Sequence, residues 1–268
     1  MSKSTQSEAL KRILGAIEQA RRVFSRYTPG EIAAEYKAGH DPVTEADQEL
    51  DAELRKILLR KGEGWLSEES ADDRSRLCHE RVWVVDPLDG TREFVEGIPE
   101  FCVSIALVER GRPVAGGICN PASDEVFLGS LDSGITYNGS PAGVSRTSGL
   151  RGATVLASRS ETKRGEWKKF EEAPFKVVPT GSVAYKLARV AAGLADATFT
   201  LSPKHEWDIA GGAALVLSAG GHIQLLDGSD LVCNCERPLV SGLVACGPQI
   251  KGELLQFLSP HIHAAEQR

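Results

Sequence analysis

Residues 101–130, FCVSIALVERGRPVAGGICNPASDEVFLGS, constrain the fold more than any other stretch of this 268-residue chain. Three apolar runs are separated only by Glu109-Arg110-Gly111-Arg112 and by an Asn120-Pro121 turn. Links that short join antiparallel neighbours, because a parallel pair needs a crossover of a dozen residues or more. The stretch therefore predicts a meander, preceded by a short buried strand at RVWVVD and followed by a further Asn-Gly turn in ITYNGSPAGV. From about residue 151 the pattern becomes alternating. ATVLAS, FKVVPT, ADATFTL, HIQLLD and LVACG read as strands. Between them SVAYKLARVAAG is helical, with Gly193 as its stop, and WDIAGGAALVLSAGG is a helix starting near Asp208 and ending at Gly220-Gly221. An antiparallel half joined to an alternating half predicts stacked helix and sheet layers with a cleft between them. Residues 1–268 are read as one domain, with subdomains at 1–150 and 151–268.

Two helices precede the meander. The first, near the N-terminus, places Leu10, Ile13, Leu14, Ile17 and Phe24 on one face and lacks the apolar core of a signal peptide. The second follows Thr44, which can cap it with Asp47 as its third residue and Val43 as a hydrophobic staple, and Leu50, Leu54, Ile57 and Leu58 form its apolar face. A net charge of −6 with no basic run argues against a nucleic-acid polymer as partner. No apolar segment reaches membrane-spanning length, so no membrane partner is expected. Six scattered cysteines form neither a zinc pattern nor a disulfide framework, and the chain reads as reduced and cytoplasmic.

The strand WVVD runs directly into Pro-Leu-Asp-Gly-Thr, which carries carboxylates out of an apolar core. Taken singly, each acid has an ordinary structural reading. Asp47 suits a helix N-terminus, Glu68-Glu69 a solvated loop, Asp89-Gly90 a turn, and Asp208 a first helical turn beside a buried Trp207. Taken together, Asp47, Glu68, Asp86, Asp89 and Asp208 ask for a common centre. Asp86 stands at the end of a strand, where α/β folds gather their sites, and Pro87 stiffens the turn so that both acids point one way. Converging carboxylates repel unless cations join them, and an all-oxygen set suits Mg²⁺. Gly90-Thr91 adds bare backbone N–H groups at a helix start, suited to phosphate. Acids for metal beside amides for phosphate imply metal-assisted phosphoryl chemistry.

DPLDGT, the upstream SEES and the downstream EWDIAGG resemble, in order and separation, the signatures of the inositol monophosphatase family of Mg²⁺-dependent phosphatases. The likeness covers nearly the whole chain. It implies an α+β fold, a layered α/β/α/β/α sandwich of the inositol monophosphatase and fructose bisphosphatase type. It also implies two or three Mg²⁺ ions between the halves and direct attack by water. Carried over by position, Glu68, Asp86, Asp89 and Asp208 match side-chain metal ligands, and Leu88 matches a backbone-carbonyl ligand. Thr91 matches the hydroxyl that, with Glu68, activates the water, and Asp47 an acid beside it. Gly90, Gly181-Ser182 and Lys204 fall in substrate-facing positions, together with Asp89, Thr91 and Asp208.

Within the family, DPLDGTREF, the SRS at 158–160 and LSPKHEWD resemble the 3′(2′),5′-bisphosphate nucleotidases. Inositol-specific members place a glutamate near Thr200, Leu201 and Ser202, where this chain has none. The resemblance thus implies hydrolysis of the 3′-phosphate of adenosine 3′,5′-bisphosphate, with inositol monophosphate and histidinol phosphate as the alternative substrates. Lys204 and His205 are candidates to meet a second phosphate, against the plain reading of a solvated lysine. Ser182 is equally a helix cap. The D-x-D-G-T of haloacid dehalogenase phosphatases, with its covalent aspartate, lacks one residue present here and gives Glu68-Glu69 no role. A non-enzymatic metal-binding module has no need of Thr91. Oligomeric state stays open, a homodimer included.

Overall fold

A computed structural model describes residues 3–36 and 42–266. The outermost layer is a pair of helices, α1 (Lys3–Phe24) and α2 (Glu45–Leu58), joined through the small antiparallel ribbon of β1 (Glu35–Tyr36) and β2 (Pro42–Val43). The buried stripe of α1 runs through Ala9, Ile13, Ala16, Ile17, Ala20, Val23 and Phe24. Leu14, expected on that face, is 42% exposed, because small alanines continue the i, i+3, i+4 ladder and leave it on the solvent flank. On α2, Leu50, Leu54 and Leu58 are buried as expected, and Ile57 packs at the margin of the same core.

Beneath these helices lies a seven-stranded sheet of β3 (Gly64–Ser67), β4 (Arg81–Asp89), β5 (Cys102–Glu109), β6 (Arg112–Asn120), β7 (Glu125–Ser130), β8 (Gly134–Tyr137) and β9 (Ser140–Ala142). Its strands stand in chain order, with α3 (Thr91–Val95) inserted between β4 and β5. The predicted meander is present and antiparallel throughout. Its β5–β6 turn places Arg110 and Gly111 at φ of 49° and 80°, and the Asn138-Gly139 turn of β8–β9 has φ of 47° and 78°. Positive φ at both central residues matches the right-handed twist of a hairpin. The edge strand β3 pairs parallel to β4, an addition the antiparallel reading did not include.

The second half supplies α4 (Arg159–Lys163), α5 (Val183–Ala191), α6 (Glu206–Ser218) and α7 (Lys251–Glu266). Its five-stranded sheet has the order β11 (Lys176–Thr180), β10 (Thr154–Ser158), β12 (Ala197–Thr200), β16 (Leu243–Cys246), β14 (His222–Leu225). The first three strands run parallel, and β16 and β14 join antiparallel. A two-residue ribbon, β13 (Lys204–His205) with β15 (Leu239–Val240), leads into α6. That helix begins at Glu206 rather than Asp208, because Asp208 is its third residue and accepts the His205 N–H from inside the first turn.

Helices α5 and α6 sit between the two sheets, and α7 covers the far face of the second through Leu254, Leu258 and Ile262, with Ile250 just before it in the same core. The layers therefore run α, β, α, β, α, as expected. Close packing of the middle layer depends on glycines. A Cβ on Gly116 of β6 would lie 2.5 Å from the carbonyl oxygen of Gly211 in α6, a backbone atom that cannot swing aside. Gly116→Ala is expected to destabilise by about 1–3 kcal/mol through overpacking. Scanning calorimetry should show Tm lowered by at least about 3 °C, and an unchanged Tm would refute this packing.

The architecture has one consequence for function. Glu68 follows the end of β3, and Asp86–Asp89 close β4. Asp47, Thr91, Ser182 and Asp208 lie at or beside the N-termini of α2, α3, α5 and α6. Strand ends and helix starts from three layers meet at one place.

Candidate active site

All the residues and backbone groups proposed for the site from sequence line one cavity of 330 Å³, Asp47 excepted. Asp47 stands directly behind it. At the centre, Glu68, Asp86 and Asp208 each present an oxygen, and these oxygens lie within 4.8 Å of one another. Such a trio could hold a metal ion.

The turn after WVVD holds these acids by local hydrogen bonding. Asp86 Oδ1 accepts the Leu88 N–H at 3.0 Å, which closes the turn around Pro87. The Leu88 side chain is buried in the core shared with Phe94 and Phe101, so its backbone is anchored at the cavity wall. Asp89 bridges to the second half of the chain. Its Oδ2 accepts Ser182 Oγ at 2.7 Å and the Ala184 N–H at 2.6 Å, at the positive end of α5. Gly90 has φ of 97°, and a Cβ there would lie 3.0 Å from the Glu100 carbonyl oxygen. Only glycine suits both demands.

Thr91 opens α3, and its hydroxyl lies 3.0 Å from Asp47 Oδ1 and 2.9 Å from the Leu88 carbonyl oxygen. The other Asp47 oxygen accepts both the N–H and the hydroxyl of Thr44, at 2.7 and 2.6 Å. The expected cap of α2 is thus also the support for Thr91. Ser182 turns out to be both helix cap and cavity residue. Its Oγ accepts the Tyr185 N–H at 2.9 Å while donating to Asp89, at a backbone φ of 54°. A serine held at positive φ is strained, and such strain collects at functional sites.

Burial and mutual repulsion set the electrostatics. Desolvation first, and the neighbouring charges of Glu68 and Asp89 second, push Asp86 well above the usual carboxylate range. Asp208 is raised likewise, by burial and then by Asp89 and Glu68. Burial raises Asp89 against the opposing pull of Ser182 and Ala184, and it raises Asp47. Without a cation such a cluster would favour protons, and a hard cation would displace them.

Two features depart from the sequence reading. Trp207, expected to be buried, is only partly so and stacks on His205 with ring centroids 4.3 Å apart. Lys204 is not a freely solvated lysine, because its Nζ lies 3.3 Å from Glu161 Oε1. Sequence reasoning missed Glu161, a buried carboxylate that also receives Thr200 Oγ1 at 3.0 Å and Trp167 Nε1 at 3.1 Å. It also missed Lys186, which lines the cavity while 4% exposed. One signal was available: Lys186 falls among the apolar positions of α5, where a lysine has no solvent to reach.

Comparison with known proteins agrees with this geometry. The model of the inositol monophosphatase family matches residues 4–265. Inositol monophosphatase 3 of Solanum lycopersicum is 34% identical over 244 residues, covering 83% of this chain and 88% of that protein. A 3′-phosphoadenosine 5′-phosphate phosphatase of Mycobacterium bovis is 36% identical over 217 residues, covering 76% and 79%. The crystal structure of extragenic suppressor protein suhB from Bartonella henselae superposes with a TM-score of 0.78 at 29% identity, covering 92% of this chain and 97% of that one. With its layered fold and acidic cluster, the chain belongs to the inositol monophosphatase family and is a phosphomonoester hydrolase acting on small phosphate esters.

Proposed function

We propose that the enzyme is a Mg²⁺-dependent, cytoplasmic phosphatase whose preferred substrate is adenosine 3′,5′-bisphosphate, cleaved at the 3′-phosphate, with residues 1–268 working as one domain. The observation that carries the chemistry is the meeting of Glu68, Asp86 and Asp208 within 4.8 Å beside the Thr91–Asp47 pair. The donor set fits the metal: every group is a hard oxygen, and the acids are too crowded to ionise together unaided. Glu68, Asp86, Asp89, Asp208 and the Leu88 carbonyl would hold two or three ions. When bound, such ions lower the pKa of water and neutralise phosphate charge.

The chain's own groups do the rest. Thr91 donates to Asp47, so its oxygen can accept a hydrogen bond from the attacking water; as that water gives up a proton to Thr91, the Thr91 proton passes to the Asp47 carboxylate, and Glu68 orients the water. The N–H groups of Gly90 and Thr91 receive phosphate oxygens. Asp89, tied to α5, keeps the two halves in register over the substrate. No protein residue becomes phosphorylated.

The substrate assignment is supported by the second half of the cavity. The segment of Thr200, Leu201 and Ser202 brings no carboxylate, and Thr200 spends its hydroxyl on Glu161. The wall contributed by residues 158–205 carries Arg159, Arg164, Lys186 and Lys204, which suits a substrate with more than one phosphate. The resemblance of DPLDGTREF and the Mycobacterium bovis relative point the same way.

With Mg²⁺ present, adenosine 3′,5′-bisphosphate is expected to exceed inositol 1-phosphate in kcat/KM by at least about tenfold, or roughly 1.4 kcal/mol. Histidinol phosphate and fructose bisphosphate complete the screen. Equal or better turnover of inositol 1-phosphate would defeat the nucleotide assignment and leave the phosphatase chemistry standing.

A further inference from the structure

The acidic cluster draws its ligands from both halves of the fold: Glu68 follows β3, and Asp208 sits in the first turn of α6. Away from the cavity, a buried arginine and a buried glutamate meet on one loop. Arg76, in a single 3₁₀ turn at Ser75–Cys78, is 1% exposed, and Glu206, the first residue of α6, is fully buried. The Glu206 carboxylate accepts the N–H groups of Asn234 at 2.6 Å and of Cys235 at 2.9 Å. The Arg76 guanidinium donates to the same two residues, to Asn234 Oδ1 at 2.8 Å and to the Cys235 carbonyl oxygen at 3.0 Å. It is held in turn by Asp72, at 2.8 Å from Nη2. Burial raises the Glu206 pKa, against the pull of the two amides and of the Arg76 charge.

Each end of this bridge is continuous with a metal-site acid. The Glu206 N–H donates to the Pro238 carbonyl oxygen at 3.0 Å, so the strap at 234–238 is bonded to both the backbone and the side chain of Glu206, two places before Asp208. On the other arm, Arg76 lies against Gly64, where a Cβ would come within 3.0 Å of the Arg76 Cα. Gly64 opens β3, the strand that ends just before Glu68. Beside the bridge the arms part around a cleft of 570 Å³, lined by Ser67, Glu68 and Ser70 from one and by Trp207, Arg237 and Pro238 from the other. An ion pair also joins the arms, Arg74 with Glu236 at 2.7 Å, but both side chains stand mostly in solvent, where such a pair contributes little. The buried bridge resists movement far better, because parting it leaves a charge unmatched in the interior.

We propose that Arg76 and Glu206 are positioning residues for the metal cluster, which hold the Glu68 arm and the Asp208 arm, through Asn234 and Cys235, at the separation a divalent cation requires. The inference rests on the reading of Glu68, Asp86 and Asp208 as metal ligands.

The test uses Asn234→Gly together with Arg76→Met. Asn234 has φ of 62°, which glycine adopts freely, so Asn234→Gly keeps the backbone bonds to Glu206 and removes only the side chain that Arg76 holds. The probe is Mn²⁺, a divalent ion that accepts the same oxygen ligands, with its free form counted by electron paramagnetic resonance in the absence of substrate. Each variant is expected to raise the Mn²⁺ Kd by about fivefold or more. Excess Mg²⁺ should restore most of kcat, because the loss lies in holding the metal and not in the reaction. Linkage demands the converse, so Mg²⁺ should slow hydrogen exchange of the wild-type Asn234 and Cys235 amides by a comparable factor. Glu236→Ala, which breaks only the solvent ion pair, should leave the Kd unchanged.

An unchanged Kd in Asn234→Gly, whatever its Tm, overturns the proposal and leaves the bridge a purely structural one, even where Arg76→Met fails to fold. Amide exchange indifferent to Mg²⁺ overturns it as well, and so does an equal loss of affinity in Glu236→Ala. A wild type that takes up no Mn²⁺ overturns the metal reading itself and the proposal with it, so the two failures are distinguishable.

Discussion

Asp86→Asn is expected to lower turnover by more than about a hundredfold at saturating Mg²⁺, since even a group that merely supports a metal ligand carries 10- to 100-fold. The same variant should be more stable than the wild type when metal is removed. Asparagine can still accept the Leu88 N–H, so the turn survives, but it brings no charge into a site that is 2% exposed. The folded-state pKa of Asp86 is raised, by burial first and then by Glu68 and Asp89. A raised pKa means that the folded state holds its proton more tightly than the unfolded one. The stability this confers is full below the unfolded value, about 3.9, and is lost as pH rises through the folded value. In EDTA the Tm advantage of Asp86→Asn should thus be near zero at about pH 4 and should grow toward neutral pH. Saturating Mg²⁺ should reverse it, because only the wild type then gains full binding free energy. Wild-type turnover, or a Tm difference indifferent to both pH and Mg²⁺, would remove Asp86 from the metal site.

Thr91→Val should lower kcat by about a hundredfold or more, the range of positioned proton transfer, with little change in KM. The hydroxyl serves no cap, since Thr91 is itself the first residue of α3 and Gly90 precedes it. Its structural worth is the contact with Asp47 or with the Leu88 carbonyl, about 1 kcal/mol. Thr91→Ser, which keeps the hydroxyl, should recover most of kcat. A valine variant with near-normal kcat and a lowered Tm would reduce Thr91 to a structural residue.

The legible parts of this protein were those governed by neighbours in the chain. The hairpin at Arg110-Gly111 and the turn at Asn138-Gly139 were readable because positive φ is a property of a few residue types. Asp86 and Asp89 were readable because the turn that carries them is closed locally, by the Asp86 carboxylate on the Leu88 N–H, whereas Leu88 came from the family resemblance alone. Strand β3 was not, since four residues without alternation, GWLS, carry no periodic signal and gain strand character only beside β4. The exposed flank at Leu14 was misplaced because alanines, weak in any apolar count, complete the buried stripe.

The sequence by itself determined the identity of the acids, the turn that presents them and the layered architecture, because hydrophobic period, turn chemistry and motif spacing are local quantities. Only the tertiary structure decided which cations remain available to a substrate. Arg159, Arg164, Lys186 and Lys204 are alike as letters, and the distinction among them lies in partners. Arg159 finds Glu100 some 59 residues away and Lys204 finds Glu161 at a separation of 43, while Lys186, among the described residues, donates its hydrogen bonds to backbone carbonyls. The reach of a charge and the cost of burying it depend on what the fold brings within a few ångströms, and chain order does not encode that.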